Sequence, residues 1–320
     1  MIEQLWYTSC RRGVGHSYGF GVRAASPGLR DLQSQRYWQI KPHLDYNLPP
    51  GANPHTVPPE QAPVSLSWIK TDTEALAIHK VYTGRDYSGR SGNYFAHVLA
   101  DLPREWTARE AISLWKSPFW QISDGQLREM ETDLPPVEMA QIAPGPLTRN
   151  VLLDPPVQQY LTTAIQVFLM LESGQRLYIA APPDMVAALI WGLTRCLPRG
   201  ILADLSFTTY THDVDSAVMK IVGTCWWPYQ LEAQRSNTPD LPASCYAQKG
   251  LAINCYSGKH SAIQPTEHIV EFAEFAVRNL LGDGEELNRL LAIAETKGIT
   301  SIRSFLLSYH LFATSAHAIS

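Results

Sequence analysis

The chain lacks most of the features that declare a compartment or a chemistry. Its five cysteines, Cys10, Cys196, Cys225, Cys245 and Cys255, are odd in number and form no Cys-x-x-Cys pair. That excludes a secreted disulfide framework and a thiolate zinc site, and leaves the thiols as small buried hydrophobes. No stretch reaches the 18 or so apolar residues of a membrane span, so no membrane association is expected. The opening residues place apolar side chains before Arg11 and Arg12, the reverse of a secretory signal, so the expected compartment is the cytoplasm. Charge is also scarce: 18% of residues are charged, against roughly 25% in ordinary soluble domains. The net charge of −4 argues against a protein whose main task is coating nucleic acid.

What is present is apolar mass, 45% of 320 residues, enough for one or two cores. Proline divides the chain. Seven of the 22 residues from Pro42 to Pro63 are proline, and six of the 22 from Pro135 to Pro156. Neither stretch can be a helix or a central strand, because proline lacks an amide donor and holds its predecessor extended. The first reads as a long surface loop, the second as a boundary near residues 147–154. The expected class is α+β: a mainly β N-terminal domain over 1–147, then an α/β or α+β domain with C-terminal helices over 155–320.

Texture supports this division. Short aromatic and apolar runs at 5–10, 18–23, 64–71, 75–84 and 93–102 read as strands, and Leu76, Ala77, Ile78 and His79 alternate as in a half-buried antiparallel strand. Thr107 with Glu110 has capping-box spacing and starts a helix toward Trp115. Past the boundary, helices at 157–171, 184–197 and from Thr266 onward alternate with short apolar strands, the pattern of helices on a small sheet.

No complete catalytic motif emerges. The glycines of Gly13–Gly21 are one residue too widely spaced for a dinucleotide fingerprint, and no phosphate loop occurs, so they read as turn glycines and no cofactor is expected. Cys10 with His16 or His97 and Asp86 has the residue types of a thiol hydrolase, but one sequence does not bring them together. His212, Asp213 and Asp215 lack the further ligands of a metal site and read as turn chemistry. The densest polar segment is Arg85–His97, with Arg85, Asp86, Arg90, Asn93 and His97 beside apolar strands. Arg90 can pair with Asp86, Asn93 can satisfy loop carbonyls, and Gly89 and Gly92 permit positive φ; Ser91 completes no nucleophile elbow. Residues 1–42 carry a net charge of +4, and with Trp6, Tyr7, Tyr18, Tyr37 and Trp38 they are the one segment suited to contacting nucleic acid. Trp226, Trp227 and Tyr229 form the best local candidate for an aromatic interface patch.

Two ordered motif sets resemble a known family. Residues 18–29, containing Tyr18, Arg23, Ser26 and Gly28, and then residues 84–97, resemble the N-terminal domain of the GTPase-associated protein 1 family. Leu197–Gly200 followed by Leu205–Tyr210 looks like that family's middle domain. The resemblance implies a prokaryotic conflict or defence locus in which such a protein accompanies a separate GTPase. It also implies a C-terminal region longer than the residues 226–320 present here. The expectation is an adaptor or sensor subunit without catalysis of its own, partnered by a GTPase or effector protein of the same locus. A cysteine- or histidine-dependent hydrolase and a nucleic-acid-contacting subunit are the alternatives. The resemblance pairs the two N-terminal motifs, which makes Tyr18, Arg23, Ser26, Arg85, Asp86, Arg90, Asn93 and His97 the candidate binding cluster.

Overall fold

The structure, a computed structural model, describes residues 1–16, 18–71, 73–125, 127–228, 231, 240–246 and 249–317. Among these, ten strands form one sheet: β1 (Glu3–Cys10), β2 (Gly19–Ala25), β3 (Ser65–Lys70), β4 (Ala75–Arg85), β5 (Ser91–Ala100), β6 (Arg176–Ala180), β7 (Phe207–Thr208), β8 (Ile221–Thr224), β9 (Gly250–Asn254) and β10 (Lys259–His260), in the order β10-β9-β6-β8-β7-β3-β4-β5-β1-β2. The fold is α+β, mainly β at its N-terminal end and mixed beyond, with helices closing the chain.

Two pairing regimes meet within this sheet. β1 to β5 pair antiparallel, and their connections include the tight β4–β5 turn. Parallel pairing of β6 with β8 and β9 requires long crossovers. Helices α3 (Pro155–Leu169) and α4 (Pro183–Cys196) flank β6 in the chain. The two regions join where Ser67 and Trp68 of β3 pair antiparallel with Thr208 and Phe207 of β7. Two residue pairs form this seam, and buried Leu66, Trp68 and Phe207 pack into the same core as α3 and α4.

Both faces of the sheet are covered. On one side lie α3, α4 and α7 (Glu267–Leu281), with Phe272, Phe305 and Trp191 in the main apolar cluster. α8 (Glu285–Thr296) and α9 (Ile302–His317) pack outside them. The short α2 (Ala108–Ile112) carries the expected capping box between Thr107 and Glu110, and α7 starts at Thr266 as its spacing predicts. The opposite face is covered by the short α1 (Gln35–Ile40) and the proline-rich segment after it, which sends Leu44, Tyr46, Val57 and Ala62 into a second cluster with Ile78, Tyr94 and Tyr178. The stretch from Pro42 to Pro63 is a surface loop, as expected, and its inward side chains also cover the sheet. β4 departs from the expected half-buried strand because of this cover. Leu76 through Lys80 are all buried, because a central strand under two covers has no solvent side. Helices α5 (Arg199–Leu202) and α6 (Ala243–Tyr246) complete the described elements. None of the described helices is long and apolar enough to cross a membrane.

Candidate binding site

The β4–β5 turn is fixed by local chemistry. Gly89 and Gly92 adopt φ of +85° and +99°, a region that other residues reach only with strain. Asp86 accepts from the backbone amides of Ser88 (2.8 Å) and Arg90 (3.0 Å), from the Ser88 hydroxyl (2.7 Å) and from Ser9 Oγ (3.1 Å). Arg90 completes the set, its guanidinium 2.9 Å from Asp86 Oδ2. Burial pushes the Asp86 carboxyl up, but these donors outweigh it and hold the group below the usual carboxylate range. The expected Asp86–Arg90 pair is present, and it staples the turn to the end of β1.

Asn93 does something other than satisfy loop carbonyls. Its Oδ1 accepts from Ser9 N (3.2 Å) and Thr8 Oγ1 (3.3 Å), which locks the amide against β1. With the oxygen so engaged, Nδ2 keeps both N–H groups, and it has no partner among the described residues although Asn93 is only 9% exposed. Asn93 lines a cleft of about 500 Å³ whose walls include Arg12, Arg23, Thr83, Arg85 and Asp124. Thr83 Oγ1 is buried and has no partner among the described residues. Arg85 is exposed and engages no acceptor among them. Arg11 sits 5.9 Å from the Tyr87 ring centroid and 4.0 Å from Glu129, an exposed ion pair of little energetic weight.

Arg23 builds the opposite wall. It is buried within β2, and its Nε donates to Asp124 Oδ2 at 2.7 Å while Nη2 donates to Arg128 O at 2.9 Å and Nη1 to Glu131 O. One guanidinium thus straps Asp124, Arg128 and Glu131 across the sheet and bounds the cleft. The cleft is therefore a rigid-walled concavity with an excess of hydrogen-bond donors, chemistry suited to carbonyl and carboxylate oxygens.

Eight residues were expected to form one cluster, and the structure divides them. Arg23, Arg85, Asp86 and Asn93 line the cleft, with Arg90 behind Asp86. Ser26 and His97 lie at the other end of β1, where Gln4 joins them. Gln4 N donates to Ser26 Oγ (2.7 Å), and Gln4 Oε1 meets His97 Nε2 (3.1 Å). Gln4 and Ser9 are five strand residues apart, about 17 Å. Tyr18 is 81% exposed and stands outside both groups.

His97 is wholly buried. Its Nδ1 accepts from Gln121 N at 3.1 Å, so Nε2 carries the proton and donates to Gln4. Burial and the neighbouring His79 hold it at about 3, so the ring stays neutral and anchors residues 119–121 to the sheet. Cys10 is buried too, and desolvation raises its thiol above the ordinary value. It is four strand residues from Trp6, the register partner of His97, about 13 Å away. The Cys10–His97–Asp86 constellation is not assembled, and the side chain of His16 lies outside the described residues. Asp213 accepts from the amides of Asp215 and Ser216 (both 3.1 Å), the turn chemistry expected there. Among the described residues, no three His, Cys, Asp or Glu side chains converge to hold a metal ion.

The aromatic candidates also divide. Trp226 and Trp227 are half-buried against the second core cluster, Trp226 edge-on to Tyr256 with centroids 5.7 Å apart; Tyr229 lies outside the described residues. In the basic N-terminal segment Trp6, Tyr7 and Tyr37 are core residues, leaving Trp38 and Tyr18 on the surface. The residues missed from the sequence are Thr8, Ser9, Thr83 and Asp124. Each is a short polar side chain at a strand end or in a loop, with no local signal beyond that.

The sequence that builds this sheet and cleft has relatives. Residues 1–140 match the GTPase-associated protein 1, N-terminal domain type 2, and residues 154–227 match the middle domain of the same protein. The chain belongs to the GTPase-associated protein 1 family. It is similar to two proteins of Mycolicibacterium smegmatis named "Putative ESX-1 scaffolding and assembly protein SaeB". One, from strain ATCC 700084 / mc(2)155, is 29% identical over 223 residues, and the other, from strain MKD8, 28% over 230. Each match takes in 65% of this chain and 26% of the relative, so the chain spans about a quarter of the length of these curated relatives.

Proposed function

We propose that the chain is a non-enzymatic adaptor or scaffold subunit of a prokaryotic conflict or defence system, acting in the cytoplasm with a GTPase or effector protein of its own locus. The observation that carries this reading is the cleft around Asn93. Asp86 and Arg23 are locked into its walls, Asn93 Nδ2 and Arg85 are donors with no acceptor among the described residues, and none of these is set up to move a proton. Asp86 holds the turn, Arg23 holds the strap, His97 is neutral and remote, and Cys10 is a buried thiol. Family membership and the scaffolding name of the relatives support binding as the working principle. The cleft docks an extended segment of the partner, with Asn93 Nδ2 on a main-chain carbonyl and Arg85 on an acidic side chain. Trp226 and Trp227 provide a second, apolar contact area.

The test is capture of the neighbouring gene products by the full chain and by Asn93→Asp and Arg85→Glu variants. Each substitution replaces a donor by a carboxylate, so each is expected to weaken capture at least tenfold, Arg85→Glu with an unchanged melting temperature. Undiminished capture by both variants rejects the cleft as the docking site. A turnover abolished by Cys10→Ala in an otherwise intact protein rejects the adaptor reading itself.

A further inference from the structure

A different part of the molecule holds a group that neither docking nor the family accounts for. Lys80 projects from the middle of β4 toward the loop-covered face, between Ile78 and Tyr82, and is 8% exposed. Of the eight lysines in the chain it is the buried one among the described residues. Its Nζ donates to the carbonyl oxygens of Asp45 (2.9 Å) and His43 (3.2 Å) and forms no ion pair with any described residue. An ammonium has a third hydrogen, and the neutral amine has a lone pair.

Lys80 forms part of the wall of a cavity of about 320 Å³, at the small end of ligand pockets, with His43, Asp45, His212, Asp213 and Met219 around it. Burial lowers the amine to about 8, with the charge of Asp45 pulling the other way. Roughly one amine in ten is then neutral at pH 7, against fewer than one in a thousand for an ordinary lysine. The two imidazoles are bases at that pH. Burial and the charge of Lys80 lower His43. Burial lowers His212 as well, opposed by Asp213 and reinforced by Lys80. Asn47 Nδ2 lies 3.0 Å from His212 Nε2, so Nε2 accepts and the ring carries its proton on Nδ1. The Asp213 carboxylate is turned into its own loop, and Asp45 Oδ1 faces the Tyr94 hydroxyl at 3.4 Å. These two negative charges disfavour an anionic guest.

We propose that Lys80 is a carbonyl-capturing amine, which holds a small uncharged aldehyde or ketone in this cavity as a reversible imine. The Nζ lone pair adds to the carbonyl carbon while the C=O π pair moves to oxygen. One nitrogen-bound proton moves to that oxygen, giving the carbinolamine. Departure of the hydroxyl with a second proton, as water, leaves the C=N bond. Water added back restores the amine and the carbonyl compound, so atoms and electrons balance with no oxidant or reductant. Thr208 of the cavity wall belongs to β7, so capture occurs beside the seam between β3 and β7 and gives an adaptor a chemical input.

The full chain is incubated at pH 7 with butanal and cyanoborohydride, which fixes imines as secondary amines, and each lysine is quantified by peptide mass spectrometry. Lys80 is expected to be alkylated at least tenfold faster than any of the other seven lysines. Lys80→Arg and Lys80→Met, checked for fold by circular dichroism, are expected to lose that fast phase. Alkylation of Lys80 at or below the rate of the exposed lysines overturns the proposal and leaves the residue a tether for His43 and Asp45; this readout needs no variant. Pyruvate as the probe is expected to react more slowly at Lys80 than butanal, and faster reaction overturns the assignment to uncharged carbonyls. Neither result bears on whether the Asn93 cleft docks a partner.

Discussion

The antiparallel and parallel halves of the sheet are covered by different materials. Over the parallel strands β6, β8 and β9 the main cover is helical, supplied by crossovers that their parallel pairing demands anyway. Around β1, β2, β4 and β5 much of the cover is irregular chain: residues 41–62 on one face and 119–125 with 127–137 on the other. Irregular cover leaves gaps and places polar backbone over a sheet, and both the Asn93 cleft and the Lys80 cavity open along it. The helical half supplies apolar mass. The loop-covered half supplies chemistry.

The sharpest way to break this comparison is to separate its two sides. Cutting at 147–154 turns β3 into an open edge and uncovers Trp68, which packs with the helical core. Residues 1–147 expressed alone are expected to lack a cooperative melting transition, and coexpression with 155–320 is expected to restore one. A stable, monomeric N-terminal fragment would show the halves to be energetically independent. Next in size is Trp68→Ala, which opens a cavity at the seam and is expected to cost about 3–5 kcal/mol in denaturant unfolding.

A third prediction sharpens the comparison through pH. His79 and His97 face each other in register on β4 and β5 under the irregular cover, and burial holds both at about 3. The folded chain refuses two protons that the unfolded chain takes up below about 6.5. Their contribution is complete above that value and is lost as pH falls through 6.5 toward 3. At pH 5 the loss is about 2 kcal/mol per histidine. His79→Phe keeps a ring stacked on Trp120, whose centroid is 5.1 Å away, and is expected to remove about half of this acid sensitivity. An unchanged pH profile would place the sensitivity elsewhere. The smallest effect belongs to the cleft rim. Arg85→Glu is expected to alter stability by less than about 0.5 kcal/mol, because the side chain is exposed and holds nothing in place.

Local features of this molecule were legible in its sequence and nonlocal ones were not. Period and capping placed strands β1 to β5 and helices α2, α3, α4 and α7, because those signals are complete within ten or fifteen residues. Strand order is another matter. β1 lies between β5 and β2, and β7 reaches back to β3, pairings set by burial across the whole chain. The site divides in the same way. Asp86 and Arg90 are four residues apart, so their pairing could be read directly. Asn93 takes its meaning from Thr8 and Ser9, more than 80 residues away. Ser26 and His97 share motifs with the cleft residues but sit a strand's length from them, since a motif does not say which end of a strand it occupies. His79-Lys80 inside an apolar run was visible, yet simple alternation concealed that both are buried.

The two-pair seam also has a consequence in time. β7 leaves the ribosome about 140 residues after β3, which at 5–20 residues per second is on the order of 10 s. Throughout that interval the edge of β3 opposite β4 is unpaired, and its outward groups seek a partner. Ser65 and Ser67, small and polar, and exposed Lys70 at the end of β3 make that strand a poor template for foreign chains. The eventual partner brings its own hydroxyl: Thr208 Oγ1 accepts from Ser67 Oγ at 2.9 Å. The strand therefore waits in a form that keeps strangers off and still recognises its own β7.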